Sequence, residues 1–385
     1  MSVAFGFDLG FHILKAFNSR HDSAYRSYVN GYEPSVDLLL RLVMDLYRQG
    51  EPDAARLWGV PGGKSLALIV SHDVDYAGSL ANTPLYFMQT KYYRDYFDEV
   101  FFDERTEELL EELDRMGMEI ASHSVSHTDM LAEIPTGTGT ESYPEYQPRV
   151  RGMGNTAGAS LLGELRISKH LLQEFSPQTV VSFRPGFLAH PFSLAQALEA
   201  AGYLYSSSVT ANNVLSHLPF RMTWNRGYGG FTNVYEFPVT LEDEKEPPMD
   251  GRVDEAVALA ERIAVYGGIY VVLIHPDITG HKLEFLKEFL PRVAPFSWSG
   301  SLKEYGGFWA AREAVGLDIQ KDEKEPDARI MTIRAPLAIS GLTVLIPEGY
   351  TLAGELKEGR VENGRLILEE FSGEKRILFT VEGEP

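Results

Sequence analysis

Residues 66–75 read LALIVSHDVD. LALIVS is an unbroken apolar run of strand length, and it passes directly into His72, Asp73, Val74 and Asp75. An unbroken run, rather than an alternating one, is the pattern of a strand covered on both faces. The same form recurs at Ile269 to Ile274 (IYVVLI), which passes into His275-Pro276-Asp277. MEIAS (118–122) runs into His123-Ser124-Val125-Ser126-His127, and TVVSF (179–183) into Arg184-Pro185-Gly186.

Helical segments separate these runs. The pattern predicts helices over 103–117, 160–175, 193–201, 254–266 and 281–290, with a further one opening at the capping box Ser301-Leu302-Lys303-Glu304. Short strands are expected at 203–207 and 234–239. Strands alternating with helices over this length imply a parallel α/β sheet, and a barrel closed by βα units is the natural form. The ends of parallel strands are where such folds gather function. Four strands therefore bring two carboxylates, several histidines and an arginine to one rim.

Outside this region the rhythm differs. Residues 1–60 form an N-terminal segment whose helix, 34–50, is strongly apolar and is expected to pack on the main domain. Residues 61–318 are the barrel. The charged run KDEKE (321–325) reads as a linker, and 326–385 as a small all-β module. Asn363-Gly364 within that module is a hairpin signal. Its few aromatic residues favour packing over carbohydrate binding. The long stretch 128–158, rich in Gly, Pro and Thr, reads equally as a surface loop or as a lid over a substrate groove.

Composition narrows the classes. The chain has 385 residues, 44% of them hydrophobic, which is enough for a large core. The net charge of −20 argues against a nucleic-acid partner, since that binding needs clustered Lys and Arg. A neutral or cationic polymer is compatible with it. With no cysteine, thiolate chemistry and Cys-ligated zinc are excluded. No run of 18 apolar residues occurs, so no membrane span is expected. Met1 to Phe17 lack a basic region followed by an apolar run, so no signal peptide is expected, and the compartment stays open.

An isolated His-x-x-x-His pair is ordinarily two surface histidines. Here it follows a buried strand, and a helical turn would aim both imidazoles to one side. Two His with one Asp is a common donor set for a divalent ion that keeps open positions for water. Taken singly, Asp73 and Asp75 could be solvated turn residues, Arg184 a surface ion pair and His275 a satisfied histidine before a proline.

The ordered set Asp73/Asp75, His123–His127, Arg184-Pro185 and Leu273-Ile274-His275 resembles the polysaccharide deacetylase family (NodB-like, carbohydrate esterase family four). So do Gly163-Glu164-Leu165-Arg166 and Gly202-Tyr203-Leu204-Tyr205. The resemblance spans roughly 62–317. It implies a distorted (β/α)7 barrel and metal-dependent removal of N-acetyl groups from an acetylated glycan. Asp75, His123 and His127 would hold a divalent metal, zinc first, with cobalt, nickel or manganese as alternatives. Asp73 would be the base acting on the water at the metal, Arg184 its partner, and His275 the acid for the leaving amine.

The chain departs from the family pattern at three points. Val74 separates the two acids, Gly186-Phe187 follow Arg184-Pro185 directly, and Tyr205-Ser206-Ser207 stand where many members carry an Asp. Asp277 and Glu236 are candidates for the acid that orients His275. Competing readings are a hydrolase of small cyclic or linear amides, which the Asp-x-Asp variants allow, an inactive glycan-binding relative, and a glycosidase. The last gives no reason for the histidines.

Overall fold

A computed structural model describes residues 34–73, 111, 114–128, 131–146, 148–150, 156–227, 229–275, 280–325 and 327–381. The strand Leu66–His72 pairs in parallel with Ile269–Ile274, in the register Ala67↔Ile269 to His72↔Ile274. On its other edge it pairs in parallel with Ser297–Ser299, and Ile269–Ile274 pairs with Leu241–Glu242. The unbroken apolar runs have their expected cause. Ala67, Ile69, Ile269, Val271 and Leu273 face a cluster with Trp58, Tyr205, Phe237 and Tyr305. The alternate residues Leu66, Leu68, Tyr270, Val272 and Ile274 face the helices Val253–Ala264 and Gly280–Val293 through Val257, Ile263, Phe285 and Phe289.

A second parallel set orders Ser182–Phe183, Tyr205–Ser206 and Phe231–Glu236, with Ser122 bridged to Phe183. Backbone hydrogen bonds join the two sets: Phe237 N to Ser206 O (2.7 Å), Val239 N to Val209 O (2.8 Å) and Thr240 N to Val271 O (2.8 Å). Parallel pairing thus steps from Ser122 across to Ser299. Among the described residues these two are the ends of the run. Helices Leu161–Phe175 and Leu194–Ala200 cover its Ser122 side. Ser160 caps the first by accepting from Gly163 N, and Gly202 at φ +74° ends the second.

Element positions differ from the sequence reading at several points. MEIAS contributes a single bridge at Ser122 rather than a strand, because only that residue meets the edge of Ser182–Phe183. The helix expected over 103–117 lies largely outside the described residues. The helix Ser35–Gly50 is anchored by its first turn. Val36 N donates to Leu215 O, and the Asp37 carboxylate accepts from Ser216 Oγ and His217 N. Leu38, Leu42 and Tyr47 are exposed, so the expected packing is confined, among the described residues, to Val36 and Asp37.

From Gly316 the chain is all β. One sheet orders Gly316–Lys321, Ala328–Ile339, Phe371–Val381 and Tyr350–Leu352. The other orders Arg56–Leu57, Thr343–Leu345, Arg365–Leu368 and Gly359–Glu362. Their shared core includes Met331, Ile333, Val344, Leu366 and Phe379. The charged run 321–325 is not a linker. It ends one strand and turns into the next, with Asp322 N bonded to Ala328 O. Asn363 (φ +49°) and Gly364 (φ +72°) make the expected hairpin turn.

The β module also grips the start of the α/β region. Arg56–Leu57 is a strand of its sheet, Gly62 N donates to Gly341 O, and Arg365 donates to Gly63 O and Ser65 Oγ. A Cβ on Gly63 would stand 2.3 Å from Ile367 Cδ1, so the Pro61-Gly62-Gly63 break is one of the places where the two regions touch.

Candidate active site

Asp73 follows the strand Leu66–His72, its N–H bonded to Ile274 O. Its Oδ1 accepts from Arg184 Nη1 at 2.8 Å, and its Oδ2 lies 3.8 Å from His123 Nε2. Asp73, Arg184 and His123 are all buried. The guanidinium is aimed by a second anchor: Nε donates to Ser207 O and Nη2 to Ser207 Oγ, whose own hydroxyl donates to Phe237 O. In sequence, Ser207 stands out only as a departure from the family pattern. Its use follows from the parallel step between the strand ends at 183 and 206, with Ser207 N bonded to Phe183 O.

The two imidazoles of the His-x-x-x-His motif meet edge to face, ring centres 4.9 Å apart. They are not brought together by the expected helical turn. The backbone takes positive φ at Ser124 (+73°) and His127 (+50°), and His127 N is capped by Ser124 Oγ. Val125 N and Ser126 N donate to the buried Glu164. A compact turn with two left-handed residues achieves in five residues what a helix would do in one turn. The ring of His127 packs flat against Gly186: a Cβ there would sit 2.7 Å from His127 Cδ2. That contact is the physical reason for glycine after Arg184-Pro185. The Phe187 ring also meets it, tilted, with ring centres 4.8 Å apart.

His123 Nδ1 lies 2.7 Å from Arg184 O. A carbonyl only accepts, so Nδ1 carries a proton and the ring turns Nε2 toward Asp73. A ring N–H held by a backbone carbonyl is the outer contact that a metal-binding histidine uses. Asp75, the third expected ligand, lies outside the described residues. Among the described residues no group of three His, Asp or Glu is close enough to hold a metal. A donor set of His123, His127 and a carboxylate after Asp73 fits a zinc-type ion in kind.

His275 stands at the end of Ile269–Ile274. Asp243 takes both its N–H (2.7 Å) and its Nδ1 (2.7 Å), and Lys282 Nζ joins the carboxylate at 2.6 Å. Burial pushes the Asp243 carboxyl up, but His275 and Lys282 together outweigh it and hold the group below its ordinary value. Of the two expected orienting acids, Asp277 lies outside the described residues. Glu236 is turned the other way, accepting from Ser208 N and Val209 N. Asp243 is not among the candidates the sequence offers, although it too follows a strand, Leu241–Glu242, aligned with Val272–Leu273. The acidic run Glu242-Asp243-Glu244 at that strand end was the available signal.

Asp73, His123, His127 and His275 line one cavity, with Phe187, Leu188, Glu242, Glu244 and Leu273. Arg184 stands behind Asp73. His72, counted among the rim histidines, is pushed down to about 4, chiefly by burial, and is neutral. Five of the six expected site residues therefore converge, and the sixth is Asp75. In the stretch 128–158, Tyr146 packs against the helix Leu161–Phe175 through its hydroxyl on Glu164.

A polysaccharide deacetylase family model matches residues 85–206, a span containing His123, His127 and Arg184 but not Asp73, Asp75 or His275. The family expected from the ordered motifs is the family found. Among solved structures the chain is similar to a candidate polysaccharide deacetylase from Mycobacterium smegmatis. Identity is 16% and the TM-score 0.47, over 69% of this chain and 98% of that one. It is also similar to PdaA of Bacillus subtilis, a family 4 carbohydrate esterase, with 12% identity and a TM-score of 0.34 over 68% and 88%. A carbohydrate esterase family 4 pseudoenzyme from Bacillus anthracis aligns at 12% identity and TM-score 0.32, over 64% and 66%. No curated protein matches the chain. No helix among the described residues is long and apolar enough to cross a membrane.

Proposed function

We propose that this protein is a metal-dependent hydrolase that removes N-acetyl groups from a glycan, releasing acetate. The observation that carries this reading is the pairing across one cavity of Asp73, held by Arg184, with His275, held by Asp243. Asp75, His123 and His127 hold the metal, which when bound polarises the acetyl carbonyl and offsets negative charge on its oxygen. Asp73 accepts the proton of the attacking water, and Arg184 keeps the carboxylate ionised and aimed. His275, with Nδ1–H committed to Asp243, presents Nε2 to the cavity and delivers a proton to the departing nitrogen. The C–N bond breaks, the water oxygen stays with the acetyl group, and the sugar leaves as a free amine.

One relative bears the description of a pseudoenzyme. The presence here of both an arginine-held aspartate and an aspartate-held histidine favours catalysis over a dead site. The same reading takes the parallel segments between 66 and 299 as a distorted (β/α)7 barrel, followed by a β module that opens with the strand Gly316–Lys321 rather than at 326. The test is acetate release from a panel of acetylated glycans and small cyclic amides, with and without chelator. Release from a glycan, abolished by chelator and restored by zinc, is the expected result. Hydrolysis confined to the small amides, or activity indifferent to chelator, overturns the proposal.

A further inference from the structure

The proposed chemistry makes no use of Glu164, yet it is fully buried, in the first turn of the helix Leu161–Phe175. Its Oε2 accepts from Val125 N at 3.0 Å and Ser126 N at 2.7 Å, and its Oε1 from the Tyr146 hydroxyl at 2.7 Å. Burial pushes the carboxyl up, and these donors oppose that shift. The two N–H groups belong to the residues between His123 and His127. With positive φ at Ser124 and His127, the turn directs those N–H groups away from any strand, and buried N–H groups require an acceptor. Glu164 supplies one atom for both.

Tyr146 completes the unit. Its hydroxyl also accepts from Ser160 N at 3.1 Å, at the helix cap. Its ring occupies the space a side chain would need at Gly163, where a Cβ would stand 2.0 Å from Tyr146 Cε2. Glycine is a poorer helix former than alanine, and the contact with the tyrosine ring is what this one serves. The helix start, Tyr146 and the histidine turn are therefore packed as one body.

We propose that Glu164 is the positioning residue of the His123–His127 turn, and that Tyr146 couples the segment 131–146 to it. The functional consequence rests on the reading of that turn as a metal site. Glu164 touches neither substrate nor metal; it acts by fixing the geometry of two ligands.

The test measures amide hydrogen exchange at Val125 and Ser126, and zinc affinity by chelator competition, in the full chain. Glu164→Ala is expected to speed exchange at both amides about 100-fold and to weaken zinc about 10- to 100-fold. Glu164→Gln keeps an oxygen acceptor and is expected to stay within about threefold of the parent on both readings. Gly163→Ala is a better helix former, yet it displaces the Tyr146 ring and should weaken zinc about tenfold, as should Tyr146→Phe. Parent-like exchange and zinc affinity in Glu164→Ala overturn the proposal, as does equal damage from Gln and Ala. If Glu164→Ala does not fold, Gly163→Ala and Tyr146→Phe decide: unchanged exchange at Val125 and Ser126 overturns it. A parent that takes up no zinc would instead sink the proposed function, and the exchange data would still decide the brace.

Discussion

Arg184 grips Asp73 through Nη1 at 2.8 Å, while its backbone oxygen takes Nδ1 of His123 at 2.7 Å. One residue thus holds both the carboxylate of the expected base and the Nδ1 side of an expected ligand. Arg184 is itself held by Ser207, so the three groups share a single rigid frame. Catalytic constellations need this kind of fixed support, since small displacements of reacting groups cost rate heavily.

The frame predicts an asymmetry between the two acids. Asp73→Asn is expected to retain zinc and to lose turnover by on the order of 100- to 10,000-fold. Asp75→Asn is expected to lose both. Elemental analysis beside acetate release separates the cases. Zinc lost from Asp73→Asn alone means the two roles are exchanged.

Asp243→Asn removes the carboxylate that fixes His275. Asparagine cannot hold both the His275 N–H and the imidazole N–H while also balancing Lys282. Turnover should fall about 100-fold or more with little change in zinc affinity. Stability carries a second signature. The folded Asp243 carboxyl lies below its ordinary value, so its contribution is complete above about 3.8 and is lost as pH falls through the depressed folded value. Unfolding midpoints measured below pH 4 should therefore depend less steeply on pH in Asp243→Asn than in the parent.

Gly186→Ala tests the contact between the Arg-Pro-Gly turn and His127. The added Cβ would stand 2.7 Å from Cδ2 and 2.8 Å from Cγ of the imidazole, so the ring must shift. Overpacking of this kind costs about 1–3 kcal/mol. The expected outcome is weakened zinc binding, read by chelator competition, in a protein that still folds. Parent-like affinity would show that the ring has room the geometry denies.

Asp37 gives a prediction independent of the active site. Burial pushes its carboxyl up to about 6, against the hydrogen bonds from His217 N–H and Ser216. A raised folded value means the folded state holds the proton longer. Stability should fall as pH rises from about 3.8 to about 6, by on the order of 3 kcal/mol, and then level off. Asp37→Asn cannot ionise and should lack that slope in chemical denaturation followed across pH 4–7.

What the sequence determined by itself was the list of groups and their meeting place. Unbroken apolar runs had to be strands buried on both faces. Parallel strands joined by helices deliver their C-terminal ends to one edge, so Asp73, Arg184 and His275 were bound to meet there, while His123 reaches the same edge from a single bridge at Ser122. The hairpin at Asn363-Gly364 was equally legible, because both residues tolerate the positive φ its turn demands.

Tertiary structure alone decided which neighbour completes each group. Asp243 rather than Glu236 orients His275, because the register Leu273↔Glu242 sets Asp243 beside His275. Ser207 anchors Arg184, Gly186 admits the ring of His127, and Glu164 closes the turn between the histidines. The reach of KDEKE across a hairpin, and the grip of Arg365 on the chain at Gly63, belong to the same class. Local sequence carries period and turn chemistry over a few residues. These contacts join segments tens to hundreds of residues apart, and their geometry depends on strand register and on which side chain leaves room for another.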